Sequence, residues 1–269
     1  MPFFLAAAAI GGASAFYTKG VDAGGIPIVG SARVPDAALR TGSEIVRAML
    51  AGRPDIRRDM ARQRVRVAML ARQEGIMDLP EHRHWQKPRP DDPRLTQCER
   101  DEYQVRIAPL SHSAYWNARA RGIGGTLTAV GAENVLAEPG TRYFGENILV
   151  HEFAHPILAS IQRVDPKLYA EVERAYSVAI TAGKWKGDYA AVTVQEYWAE
   201  GTQFWFNSNM ISRLDDGTIL SHEDLRRYDP ALYKALGKVY GPRHRIVADR
   251  FHKHAARLNV APGRKSADC

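Results

Sequence analysis

The chain has only two cysteines in 269 residues and no apolar run long enough to read as a membrane-spanning helix, so stable membrane insertion is not expected. Cys98 falls in a loop and Cys269 is the last residue. In an exported protein they can pair and tie the C-terminus back to the N-terminal half; otherwise they are thiols. Internal repeats are lacking, and so are low-complexity runs beyond the Ala/Gly-rich start. No nucleic-acid-binding motif accompanies the net charge of +7. That charge comes largely from arginines between Arg33 and Arg121, in stretches such as Arg53–Arg58 and Arg62–Arg66. Without interleaved aromatics these read as solvated helix faces rather than a specific nucleic-acid surface. With 45% apolar residues, there is ample material for one large core or two small ones.

What the chain does have is His151-Glu152-Phe153-Ala154-His155. Residues four apart share a helix face, so the two imidazoles can grip one metal ion while Glu152 reaches a water activated there. A helix is expected from about Glu146 to Gln162, because Leu149, Phe153, Ile157 and Ile161 repeat at four-residue steps and form an apolar stripe. Pro156 cannot donate to the carbonyl of Glu152 and should kink that helix just after the second histidine. A surface helix with incidental histidines is the plainer reading, but the apolar neighbours and a third ligand candidate argue against it. That candidate lies in Thr193-Val194-Gln195-Glu196-Tyr197-Trp198-Ala199-Glu200, where two carboxylates again stand four apart. A tetrahedral catalytic zinc site takes three protein ligands and leaves one position open. Glu196 is assigned as the third ligand and Glu200 as a partner to the far ring nitrogen of a ligand histidine. The competing reading makes Thr193 and Glu196 a capping box that starts a helix.

These residues resemble the gluzincins, HExxH zinc hydrolases whose third ligand is a glutamate on a later helix. The likeness is to the branch typified by the catalytic domain of anthrax lethal factor. There a tyrosine precedes the ligand glutamate by seven residues, and that glutamate opens a Glu-aromatic-aromatic-Ala-Glu run. This chain has Tyr189 and then Glu196-Tyr197-Trp198-Ala199-Glu200. The resemblance covers residues 145–206 and implies that His151, His155 and Glu196 hold zinc. It further implies that Glu152 is the general base and that Tyr189 hydrogen-bonds the oxyanion. An edge strand ahead of the active-site helix would receive the substrate backbone, and residues 122–136 are the candidate; their glycines can equally mark a bulge.

Elsewhere, Tyr197, Trp198, Phe204, Trp205 and Phe206 read as core and cleft wall. His82, His84, His112, His222, His244, His252 and His254 read as surface histidines. A strand is expected near residues 26–29 and a half-buried one at 64–70, with a turn near Gly131 in the 122–136 segment. Helices are expected from Asp36 to about Ala51, near 56–63, after Asp165-Pro166 with Leu168, Val172, Tyr176 and Ile180 inward, and after Asp229-Pro230, followed by a basic helical tail to about Leu258. Residues 78–101 form the longest loop. Met1–Ala15, closing on Ala13-Ser14-Ala15, reads as a signal peptide and implies a secreted or periplasmic protein.

The expected fold is α+β: helix-rich, zincin-like by resemblance, with a small mixed sheet and an HExxH active-site helix. Residues 16–269 form one catalytic domain, in which 36–100 make an N-terminal helical lobe over the zinc site. The leading functional expectation is a zinc-dependent metallopeptidase acting on a peptide or protein substrate. A catalytically silent zincin-like binding domain is the first alternative, and a zinc hydrolase for a non-peptide amide or glycan bond the second.

Overall fold

A computed structural model describes residues 16–259 apart from 94, 96 and 216. The apolar segment Met1–Ala15 and Cys269 lie outside the described residues. Strands β1 (Lys19–Asp22) and β2 (Pro27–Gly30) form an antiparallel hairpin. Helices α1 (Asp36–Leu50) and α2 (Pro54–Arg62) then cross over to β3 (Arg66–Leu70), which runs parallel to β2. Helix α1 buries Leu39, Ile45, Val46 and Leu50, as their spacing predicts. Pro54 opens α2 at a position where a missing N–H costs nothing.

Residues 71–126 carry helices α3 (Gln97–Asp101), α4 (Tyr103–Arg106) and α5 (His112–Arg119), then the short strand β4 (Gly122–Ile123). Strand β5 (Leu127–Gly131) inserts between β3 and β4, parallel to the first and antiparallel to the second. The five-stranded sheet therefore runs β1-β2-β3-β5-β4, with β4 at its edge. Helices α6 (Ala132–Val135), α7 (Ile148–Val164), α8 (Pro166–Thr181) and α9 (Val194–Trp205) follow. The hairpin β6 (Ser212–Leu214) and β7 (Gly217–Ile219) then leads to α10 (His222–Tyr228) and α11 (Pro230–Tyr240). This is the expected α+β, helix-rich architecture with a small mixed sheet. No helix among the described residues is long and apolar enough to cross a membrane.

The 64–70 strand is not half-buried. Val67 and Met69 join the main core with α1 and α7, while Ala68 and Leu70 pack on the other face against Ile76 and Leu79. A central strand flanked by parallel neighbours is covered on both faces, so alternation fails to mark an outside. The turn in the 122–136 segment falls at residues 124–126, not at Gly131, which instead ends β5 where α6 begins. In α8 the inward positions after Val172 are Ala175 and Ala179, with Tyr176 and Ile180 half-buried. The basic C-terminal stretch is not a long helix: among the described residues past Gly241, only Ala255–Leu258 makes a 3₁₀ turn. Its buried side chains, Ile246, Asp249, Phe251, Ala256 and Arg257, keep no helical period.

Residues 36–100 divide among three settings, one of them the cluster of Ala68, Leu70, Ile76 and Leu79 on the other face of β3. Helices α1 and α2 belong to the main core around α7, whereas Leu95 joins Tyr103, Ile107 and Tyr115 in a separate small cluster.

Candidate metal centre

Helix α7 begins at Asn147, whose side chain accepts the Val150 N–H at 3.2 Å. Leu149, Phe153, Ile157 and Ile161 are fully buried and turn the opposite side, with Glu152 and His155, to a cleft of roughly 1130 Å³. Pro156 lies inside α7 and is buried, and the helix is continuous from Ile148 to Val164. Helix α9 starts at Thr193, whose hydroxyl accepts the Glu196 N–H at 3.2 Å. The cap and the ligand reading therefore coexist: Thr193 does cap, but the Glu196 carboxylate turns to α7. Glu196 Oε2 lies 3.0 Å from His151 Nε2 and 3.6 Å from His155 Nε2.

One ligand atom from each of His151, His155 and Glu196 lies within 4.8 Å of the other two, and no second group of this kind occurs among the described residues. Nitrogen and oxygen ligands at 2.0–2.1 Å from a tetrahedral ion stand about 3.3 Å apart, a value the two His–Glu distances bracket. Two imidazoles and a carboxylate are donors that suit zinc. The charge balance points the same way, because the carboxylates of Glu152, Glu196 and Glu200 crowd two histidines on one wall of the cleft. The residues present fit a bound divalent cation.

Electrostatics within the site are strongly displaced. Burial drives the Glu152 carboxyl up to about 7, with the Glu196 charge adding to it and His151 opposing. Burial also works against a charged His151, yet the Glu196 and Glu200 carboxylates on its two ring nitrogens hold it well above the usual imidazole range. Burial and the charge of His151 push His155 down to about 4. The Tyr189 ring lies nearly parallel to that of His151 at 6.2 Å. Burial, then the nearby Glu196 charge, raises its phenol, so it stays protonated and able to donate.

Edge strand β4 runs along α7 at van der Waals range. A Cβ on Gly122 would lie 2.6 Å from Glu152 Oε1, and one on Gly124 only 2.3 Å from His155 Cδ2. The glycines here mark a close backbone approach rather than a bulge. Gly124→Ala is expected to cost about 1–3 kcal/mol by overpacking, read as a lower denaturation midpoint of the metal-free protein. An unchanged midpoint would show that β4 stands clear of α7.

Glu200 Oε1 lies 3.3 Å from His151 Nδ1, and its other oxygen accepts from Asn209 Nδ2 at 2.6 Å. Gln203 Oε1 is closer still to the same ring nitrogen, at 3.0 Å. Sequence reasoning missed Gln203, although 196, 200 and 203 follow the i, i+4, i+7 spacing of one helix face. It also missed part of the cleft lining, where Trp85 and Trp116 meet edge to face at 5.0 Å. His82 is not a surface histidine: it is buried, stacked on Trp85 at 3.8 Å, with Nδ1 3.1 Å from the Ile76 carbonyl. His222 and His244 are likewise half-buried, stacked on each other at 3.7 Å. His84 remains exposed at the cleft rim. Tyr197, Trp198, Phe204, Trp205 and Phe206 are all buried.

No protein-family model matches the chain, and no curated protein is similar to it in sequence. Among solved structures it is similar to the Pro-Pro endopeptidase of Paenibacillus alvei, with a TM-score of 0.48 and 14% identity, over 78% of this chain and 96% of that one. A likeness this distant assigns no role to individual residues.

Proposed function

We propose that the chain is a zinc-dependent metallopeptidase of the gluzincin type, close in motif to the lethal-factor branch, with His151, His155 and Glu196 as ligands. The observation that carries this reading is the convergence of those three donors, with Glu152 beside them, on one wall of an open cleft. Zinc held there supplies a Lewis acid, lowering the pKa of a water to about 7 and polarising a carbonyl.

The chain's own residues do the rest. Glu152, beside the three donors on the cleft wall, takes the proton of the attacking water and delivers it to the leaving amine. The Tyr189 phenol, kept protonated, donates to the carbonyl oxygen as negative charge builds on it. Glu200, fixed by Asn209, orients His151 from behind. Peptide is the substrate class the edge strand supports: β4 pairs inward with β5 and presents its outer side to the cleft, where an extended chain can add as a further strand.

The test is cleavage of a mixed pool of internally quenched peptides, abolished by a chelator and restored by zinc. No turnover on any peptide by zinc-loaded protein would sink the peptidase reading. Tyr189→Phe is expected to lower kcat by about 100-fold while leaving zinc content unchanged; an unaltered kcat would reduce Tyr189 to a packing role.

A further inference from the structure

The second ring nitrogen of His151 has two neighbours, and they are not equivalent. Glu200 is 3.3 Å away and shares its charge with Asn209. Gln203 is 3.0 Å away, fully buried, and its amide has only one way to face. Its Nε2 donates to the Asn147 carbonyl at 3.0 Å, and a carbonyl can only accept. Oε1 must then be the atom turned to His151, and since Oε1 also only accepts, Nδ1 must carry the hydrogen. Without metal, Nε2 in turn donates to Glu196 Oε2 at 3.0 Å; a cation entering between Glu196 and His155 would displace that hydrogen, because the one on Nδ1 is committed to Gln203.

The reference point for this amide is itself immobilised. Asn147 caps α7 through Val150 N–H, donates from Nδ2 to the buried Asp249 Oδ1 at 2.7 Å, and donates its backbone N–H to the Ser208 carbonyl at 2.9 Å. Its carbonyl also accepts the His151 N–H at 3.4 Å. Gln203 thus bridges the first turn of α7 to the ring that turn carries, from the facing side of α9.

We propose that Gln203 is a positioning residue that fixes the tautomer and ring orientation of His151, so that Nε2 is the ligating atom. This rests on the zinc-site reading. Glu200 alone would leave the ring partnered by a carboxylate set by Asn209 on a loop, whereas Gln203 ties it to the backbone of its own helix.

The test is zinc affinity by competition with a chelating dye, for wild type, Gln203→Met and Gln203→Glu, with metal-free melting curves as a control on folding. Methionine removes both polar ends; glutamate keeps an acceptor for Nδ1 but loses the donor to Asn147. Gln203→Met is expected to weaken zinc about 10–100-fold, and Gln203→Glu to stay within about threefold of wild type, since the acceptor is the end that matters. Equal losses in both would make Gln203 a strut between α7 and α9, and no loss in either would leave Glu200 as the effective partner; each overturns the proposal. Should the variants not fold, ring-nitrogen NMR of the zinc-loaded wild type decides. His151 with a protonated Nδ1 and ligated Nε2 supports the proposal, and ligation through Nδ1 overturns it. Failure of the wild type to bind zinc at all would instead remove the metal-site reading beneath it.

Discussion

Glu152→Gln is expected to keep its zinc and to lose peptidase turnover by about 10²–10⁴-fold, the range general-base catalysis contributes. The substitution preserves shape against β4, where Glu152 Oε1 sits under Gly122, and removes only the ability to accept a proton. The same change has a second readout in the metal-free protein. Burial raises the Glu152 carboxyl from an ordinary 4.5 to about 7, so the fold favours its protonated form. The stability contributed is fully present below pH 4.5 and is lost as pH rises through about 7. Metal-free wild type should therefore lose melting temperature across that window more steeply than Glu152→Gln. Parallel curves would show that Glu152 is not the group held protonated by burial. Wild-type turnover in Glu152→Gln would remove it as the base.

Replacing a ligand should do more than slow the chemistry. His151→Ala or Glu196→Ala is expected to give protein without zinc after purification, against about one ion per chain in wild type, measured by elemental analysis. Glu200 reaches only the back of His151, with Asn209 holding its other oxygen, so Glu200→Ala removes an outer contact, which costs about 10–100-fold in affinity. The order of loss separates the two glutamates, which is the point of making both variants. Tighter zinc binding in Glu196→Ala than in Glu200→Ala would exchange their roles. Full zinc content in His151→Ala would place the ion elsewhere.

The residues at this centre were legible because helical spacing converts directly into a shared face. His151 and His155 needed only the period of one helix, and the apolar stripe through Phe153 fixed which side of α7 is buried. Glu196 required two helices to face one another, which a pairwise pattern can suggest but not place. The partners behind them were illegible for a related reason. Gln203 earns its position by the fixed carbonyl of Asn147, fifty-six positions earlier, and a glutamine at helical spacing reads as any buried or exposed amide. The sheet was harder still. Strand β3 carries apolar side chains on both faces because parallel neighbours bury both, and β4 is two residues long, below the length at which alternation means anything. Helices α4, α5 and α10 are short, and their capping signals, such as Ser221 with Asp224, sit in stretches whose charge resembles loop. The C-terminal segment misleads in the other direction: its basic composition looks helical, yet Arg257 is buried and donates to the Asn209 carbonyl at 2.6 Å, holding the chain in an irregular path.

The brevity of β4 matters beyond the difficulty of seeing it. An exposed sheet margin usually invites a second molecule to zip on and seed an aggregate, and proteins blunt such margins by shortening or bending them. Here the margin ends after Gly122 and Ile123, walled on one side by α7, so another folded copy has almost no rung to grasp. On the peptidase reading, a flexible substrate chain would meet the same two-residue ledge. Its main-chain contacts there would set direction but carry no information about sequence. On that reading, selectivity falls to the side chains that line the cleft, Trp85 and Trp116 among them.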